Sequence, residues 1–235
     1  MSNILLLDIE TAPAQAYVWG LWNQNVSVDQ IIKPSRITCL GMGFYGRKGV
    51  DFLAEWTVGR EAMLRLTSEA LAACDAVVTY NGDKFDIPRL YGEFAQHGIP
   101  TPGPVTSIDL YKTAKKMGFQ SNKLAFVGPS LGIGEKVKHE GFRLWSGIEN
   151  GDEKARRKME RYNIQDVKLL GTLYSKLRPF IATHPTLHND SRQQCRACGS
   201  SKVQSRGVRR TRASIVERLH CQACGHWFPG KVTRV

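Results

Sequence analysis

The chain is short of acid. Its 21 Asp and Glu face 33 Lys and Arg, a formal charge of +12 over 235 residues. That balance argues against a polycationic partner and for a polyanionic one. Long apolar runs are also missing. No stretch approaches the roughly 20 consecutive apolar residues of a membrane-crossing helix. The N-terminus lacks a secretory signal, because residues 4–7 are too few for its apolar region and Asp8 and Glu10 interrupt them. The chain is therefore expected in the cytoplasm, with no membrane partner. There are no internal repeats or low-complexity segments. The glycines at 132 and 134 are followed by Glu135-Lys136 without the Ser or Thr of a phosphate-binding loop. Cysteines number six, and cytosolic thiols stay reduced, so any paired set points to metal rather than to disulfides.

What is present is ordinary in bulk and uneven in detail. The apolar fraction of 42% suits a globular protein with a sizeable core, and the length allows one or two domains. From residue 185 onward ten Lys or Arg face only Asp190 and Glu217, a surplus of eight that leaves +4 for the rest. A basic surface can serve solubility alone, but a tail this one-sided reads as a nucleic-acid contact.

Residues 4–10 read as a buried, central strand with a continuous apolar run. Residues 37–45 and 50–56 read as two further strands, with Gly46-Arg47-Lys48-Gly49 as the hairpin between them. A helix follows over 61–73, with Met63, Leu64, Leu66, Ala70 and Leu71 on one stripe. Then come a strand over 75–80, a helix over 87–96 with Pro88 in its first turn, and a strand over 105–109. Ser121 and Asn122 are capping candidates for a helix through Ser130. A long helix spans 151–177. The order gives an α/β fold: a mixed five-stranded sheet flanked by helices.

Within that frame five side chains draw attention. Asp8 and Glu10 are two apart on a strand, so they share a face. Solvated acids on an exposed edge strand are the rival reading; the apolar run before them argues against it, because buried unpaired carboxylates are costly. Asp86 ends Tyr80-Asn81-Gly82-Asp83-Lys84-Phe85-Asp86. Asp83 is its competitor, but it stands beside Gly82, where turn aspartates are common. Tyr162 and Asp166 are four apart in a helical pattern and so are neighbours on one face. Carboxylates brought together from separate elements are what a pair of hard cations needs. Two such ions can activate water and stabilise the leaving oxygen of a phosphodiester.

Asp-x-Glu on a first strand, Asn-x-x-x-Phe-Asp in mid-domain and Tyr-x-x-x-Asp on a late helix, in this order, resemble the DEDD (DnaQ-like) exonucleases of the ribonuclease H-like fold. The tyrosine matches the DEDDy branch. Residues 81–90 and 124–136 look like predicted exonucleases grouped with family B polymerase proofreading domains. The resemblance covers about residues 1–180. It implies hydrolysis from the 3′ end with two Mg²⁺ or Mn²⁺ ions. Asp8 would bridge both ions, Glu10 would bind one, Asp86 and Asp166 would complete the ligands, and Tyr162 would orient the attacking water. Tyrosine's ordinary pKa near 10 makes it a poor sole base. Thr11 and Phe85 would touch the terminal nucleotide. Asn81 either contacts the substrate strand or fixes its loop. Tyr17, Trp19 and Trp22 either stack on bases, pack in the core or cover the sheet edge.

The C-terminal part carries a second pattern. Cys195-Arg196-Ala197-Cys198-Gly199 and Cys221-Gln222-Ala223-Cys224-Gly225 are matching turns, each able to place two thiolates on one tetrahedral Zn²⁺, with iron the alternative. A β-hairpin is expected between them. His220 and His226 flank the ligands, but four cysteines already complete a site. The pattern resembles a zinc ribbon, including those attached to DNA-binding transposase proteins. The expected organisation is a nuclease domain over 1–181, a linker over 182–194 and a small β zinc ribbon over 195–235. Arg206, Arg209, Arg210 and Arg212 of the ribbon would contact phosphates.

The expected function is 3′–5′ exonuclease action on nucleic acid, with single-stranded DNA or DNA ends favoured. A silent nucleic-acid-binding adaptor and a structure-specific endonuclease on the same fold are the alternatives. Protein partners stay open, a replication or recombination complex among them.

Overall fold

The structure is a computed structural model that describes residues 2–134, 137–188 and 194–234. Glu135, Lys136 and Asp190, which entered the sequence reading, lie outside the described residues, as does Arg192, one of the ten bases counted from residue 185 onward. Three strands open the chain's main sheet: β1 (Ile4–Thr11), β4 (Ile37–Phe44) and β5 (Asp51–Ala54), with a short hairpin of β2 (Gln15–Ala16) and β3 (Ile31–Lys33) between the first two. Then come α1 (Arg60–Ala72), β6 (Ala76–Thr79), α2 (Asp86–Gln96), β7 (Ser107–Asp109), α3 (Leu110–Lys116), α4 (Leu124–Ser130), α5 (Phe142–Glu149) and α6 (Glu153–Leu177). The chain ends in β8 (Val203–Arg210), β9 (Ser214–Cys221) and β10 (Trp227–Arg234). No described helix is long and apolar enough to cross a membrane.

The main sheet is five-stranded and mixed, in the order β5-β4-β1-β6-β7. β1 runs antiparallel to β4 and parallel to β6. As the sequence led us to expect, the apolar run of β1 is buried at the centre. Its two faces serve two cores. Leu5, Leu7 and Ile9 pack with Met63, Leu64, Leu90 and Phe94 of α1 and α2. Ile4 and Leu6 pack on the opposite side with Val167, Leu170 and Leu173 of α6. Strand alternation then decides where the acids go: Asp8 and Glu10 continue the even-numbered face, the one covered by α6.

Helix α6 lies close to this face because two glycines give it room. A Cβ on Gly41, opposite Asp8 in the β1–β4 register, would stand 2.4 Å from Asn163 Oδ1 and 2.9 Å from Val167. One on Gly171 would stand 2.9 Å from Leu6. Asp152 caps the helix, its side chain accepting the Lys154 N–H at 2.8 Å.

Two helices were not anticipated. α3 starts directly from β7, with Asp109 as its N-cap accepting the Tyr111 N–H at 3.0 Å. α5 lies between α4 and α6 and buries Leu144 and Ile148 beside Met159 and Tyr162. Both are short, so neither offers the repeated 3.6-residue pattern that reveals a helix. α4 starts later than Ser121 or Asn122 would place it: Lys123 is the capping position, and Ser121 Oγ accepts its N–H at 3.3 Å.

The C-terminal sheet has three strands in the order β10-β9-β8, one more than the expected hairpin. It meets the end of α6 through histidines. The ring of buried His184 stacks on Tyr174, with centroids 5.9 Å apart, and lies 5.4 Å from the ring of His226. His184 Nδ1 is 2.8 Å from the Pro185 carbonyl, and Nε2 is 2.7 Å from Tyr174 Oη. A carbonyl only accepts, so Nδ1 carries the proton and the neutral Nε2 accepts from the tyrosine. Residues 182–188 are tied in by backbone: the Leu187 N–H donates to the Arg196 carbonyl at 3.0 Å, and Ser2 Oγ donates to the Leu187 carbonyl at 2.5 Å.

Burial pulls the His184 imidazole down from its ordinary value of 6.5 to about 4. Burial lowers His226 and His188 as well. Between these values the unfolded chain holds a proton that the folded chain refuses. Stability is therefore full above about pH 6.5 and falls as the pH drops towards 4, by on the order of 3 kcal/mol from His184. We expect the urea midpoint to fall between pH 7 and pH 5. His184→Gln should flatten part of that slope. An unchanged slope in His184→Gln would show that the buried ring contributes nothing to it.

Candidate functional site

Asp8 and Glu10 from β1 and Asp166 from α6 each offer a carboxylate oxygen, and these oxygens all lie within 4.8 Å of one another. Two elements far apart in sequence thus deliver three acids to one place. Oxygen donors of this kind suit a hard divalent cation.

Asp86 stands beside them rather than in that cluster. The β1–β6 ladder ends at Leu6 and Val78. Past that point the Ile9 N–H turns to Asp86, whose Oδ1 accepts it at 3.2 Å. The side chain is buried. Burial pushes the carboxyl up to about 6, with Asp109 adding to the rise and the Ile9 N–H opposing it. Asp83 goes elsewhere: its carboxylate accepts from Ser107 Oγ and pairs with Lys112. Burial raises the Asp83 carboxyl, but Lys112 and Ser107 outweigh this and hold it below its ordinary value.

The loop that carries Asp86 is shaped by Asp109. That buried carboxylate accepts the N–H of Asn81 at 2.8 Å and of Asp83 at 3.4 Å, in addition to capping α3. Asn81 is left-handed, at φ +69°. A Cβ on Gly82 would sit 2.3 Å from Thr79 Oγ1, so only glycine fits there. Phe85 is exposed, at the capping position just before α2. Thr11 lies past an irregularity in the β1–β4 register that separates it from Glu10.

Tyr162 is buried. Its ring meets those of His139, at 5.1 Å between centroids, and Trp145, at 6.5 Å, both edge-on. One turn away on the same helix is Asp166, the i,i+4 relation expected from the sequence.

Sequence reasoning missed Asn163. It is fully buried, and its Nδ2 donates to the Asp8 carbonyl at 3.1 Å and to Asp8 Oδ2 at 2.9 Å. It therefore fixes both the backbone and the carboxylate of Asp8. The available signal was its place three residues before Asp166, on the same helical face. The missing information was Gly41, whose bare backbone lets the amide reach β1.

The second centre is the cysteine cluster. Sulfurs of Cys195, Cys198, Cys221 and Cys224 lie within 4.8 Å of one another. Cys195 to Cys224 and Cys198 to Cys221 are both 3.7 Å, far outside bonding distance. A tetrahedral ion with Zn–S of about 2.3 Å sets its sulfurs about 3.8 Å apart, so the donors fit that geometry. Gly199 and Gly225 close the two turns at φ +73° and +74°. His220 and His226 are used otherwise: His220 stacks on Trp227 at 4.5 Å, and His226 Nδ1 faces the Arg178 carbonyl at 3.3 Å. Arg206, Arg209 and Arg210 on β8, and Arg212 in the turn after it, are all exposed.

The model of the RNase_H superfamily matches residues 5–178 of this sequence. The chain belongs to the RNase_H superfamily. The match ends at the close of α6, so the cysteine module lies beyond it. Solved structures that share the RNase_H superfamily fold of this chain include the family B DNA polymerase from the hyperthermophilic archaeon Pyrobaculum calidifontis. That match has a TM-score of 0.59 at 17% identity, and covers 76% of this chain and 25% of the polymerase. The chain thus spans about a quarter of that protein. No curated protein sequence matches it.

The tight fit of α6 over β4 is open to test. Gly41→Ala forces a methyl into Asn163 and Val167, and overpacking of this kind costs about 1–3 kcal/mol. Adding Asn163→Ala removes one of the two clashing groups. Urea denaturation should show Gly41→Ala destabilised and the double variant partly recovered relative to the sum of the single changes. Strict additivity would show that residues 41 and 163 do not meet.

Proposed function

We propose that the chain is a metal-dependent 3′–5′ exonuclease that hydrolyses nucleic-acid phosphodiesters, DNA in preference to RNA. The observation that carries this reading is the convergence of Asp8, Glu10 and Asp166 oxygens within 4.8 Å, on the face of β1 that α6 covers. Membership of the RNase_H superfamily, whose members are generally nucleases, supports it. So does the sequence order of the acids and the tyrosine.

In this reading Asp8, Glu10, Asp86 and Asp166 hold two Mg²⁺ or Mn²⁺ ions. When bound, such ions supply activation of water and stabilisation of the leaving oxygen. The protein's own part is placement. Asn163 holds Asp8 by two donated hydrogen bonds, so this carboxylate keeps its orientation whether or not substrate is present. Asp86 is anchored on the Ile9 N–H, which fixes its carboxylate next to β1. Tyr162, with its ring wedged between His139 and Trp145, orients the attacking water through its hydroxyl. Thr11 and Phe85 flank the terminal nucleotide, and the Asn81 turn shapes the loop beside them.

The reading assigns residues 1–181 to the nuclease domain, 182–194 to a connection and 195–235 to a zinc ribbon. Cys195, Cys198, Cys221 and Cys224 hold one structural Zn²⁺ there, which adds folding free energy to a module with little core. Its exposed arginines grip phosphates.

Asp8→Ala and Asp166→Ala should each abolish Mg²⁺- or Mn²⁺-dependent release of mononucleotides from end-labelled single-stranded DNA. Tyr162→Phe keeps the ring and should slow the reaction by ~10²–10⁴-fold with little change in substrate binding. Full turnover in either Asp variant would remove the assignment. Cleavage of a circular single strand, which has no end, would redirect it to an endonuclease.

Changing Arg206, Arg209, Arg210 and Arg212 together to alanine should weaken binding to long oligonucleotides. It should also flatten the slope of log affinity against log salt by about 3, the counterions no longer released. Cys198→Ser should lower bound zinc and imitate the change. Binding titrations at several salt concentrations, with metal analysis, check both. An unchanged slope would leave the ribbon as a protein-docking module.

A further inference from the structure

The hairpin between β1 and β4 is built unlike the rest of the molecule. Its tip exposes large apolar side chains where a folded domain hides them: Trp19 is 99% exposed, Leu21 86%, Val28 86%, Trp22 84% and Tyr17 76%. Scattered exposed apolar residues are normal, but this many on one short arm mark an interaction surface. None of them is in a core, which removes one of the roles open from sequence.

The arm is held in shape by its own polar groups. The Tyr17 N–H donates to the Gln30 carbonyl at 3.0 Å. The Gln30 side chain donates to the Tyr17 carbonyl at 2.9 Å and accepts the Ser27 N–H at 2.9 Å. The arm also extends the strand pair that carries the acids. The β1–β4 ladder runs to Thr11 and Ile37, the Ala12 N–H donates to the Arg36 carbonyl, and β2 then pairs with β3 from Gln15 and Lys33. Trp19 is nine residues from Glu10, a reach of at most about 32 Å.

Charge separates the kinds of contact the arm can make. Residues 15–33 include one acid, Asp29, and one base, Lys33. On a chain of net charge +12 this arm is neutral, so it offers little to a phosphate backbone. It offers aromatic faces, with the amides of Asn23, Gln24 and Asn25 among them. Those are the groups that meet nucleobases, by stacking and by edge hydrogen bonds. Stacking needs bases that are not paired.

We propose that this hairpin is a stacking platform for the unpaired bases of a single strand whose end enters the acid site, with Trp19, Trp22 and Tyr17 as its faces. The proposal rests on the nuclease reading for the direction of the strand. It divides recognition in two: the ribbon arginines hold phosphates and the hairpin holds bases.

The test uses the full chain and two probes, a single-stranded oligothymidylate and an abasic oligomer of the same length. Wild type should bind the thymidylate more tightly. Trp19→Ala and Trp22→Ala should each weaken that binding by about tenfold or more. They should leave the abasic oligomer, the salt slope and the thermal melt unchanged. Equal affinity of wild type for the two probes would overturn the platform, as would equal losses on both probes. So would a wild-type dimer that the variants turn into monomers, in sedimentation, with thymidylate affinity intact; the arm would then be a self-association surface. Dinucleotide hydrolysis keeps the two readings apart. Base-dependent binding that the variants lose supports the platform even where the acids prove inactive.

Discussion

The fit of α6 against the β1–β4 pair is the constraint on which the rest of the structure depends. A helix can approach a sheet closely only where side chains are missing between them. Gly41 and Gly171 provide those gaps, one under Asn163 and one over Leu6. Through the first, a buried amide reaches the backbone and carboxylate of Asp8. Through the second, the apolar stripe of α6 seats on the same face of β1. Asp166 is placed by the same contact, being on the helix that these glycines admit. The acid cluster is thus a product of interior packing, not of a surface loop folded over a scaffold.

How much of this was legible in the sequence follows from what a sequence pattern can encode. Relations within one element were readable. Asp8 and Glu10 share a face because strands repeat every two residues, and Tyr162 and Asp166 do because helices repeat nearly every four. The central place of β1 followed from its unbroken apolar run. Relations between elements left weaker traces. Nothing around Asn163 announces a bond to Asp8, because that bond depends on an absent side chain at position 41, on another strand. The distinction between Asp83 and Asp86 rests on Lys112 and Ser107, which take up the first, and on the Ile9 N–H, which takes up the second. α3 and α5 were too short to carry periodicity. The hairpin aromatics could be noticed but not placed, because exposed and buried tryptophans look alike in a sequence.

The two modules differ in what holds them. The sheet domain has two large apolar cores, one on each face. The cysteine module has a core of little more than Cys195, Ala197, Leu219, Cys221 and Phe228. Small domains bury too little surface to be secure by apolar packing alone. It gains contacts from its neighbour: Pro179 lies against Gly225, and the Arg178 carbonyl faces His226. The charge is divided in the opposite sense, with most of the excess on the module that has the smaller core.

The place of β1 in the sheet also sets an order of assembly. This strand is made before the other described strands and helices, and its partners follow much later. β4 follows by about thirty residues, β6 by about seventy, and α6 is complete only at Leu177. Until then one apolar face of the strand has nothing to cover it. Contacts between residues so far apart close slowly, because the chain between them must first be ordered. The nascent chain therefore carries an unshielded hydrophobic strand until Leu177 has been made, and the central element of the main sheet is fully enclosed only after the elements on either side of it exist.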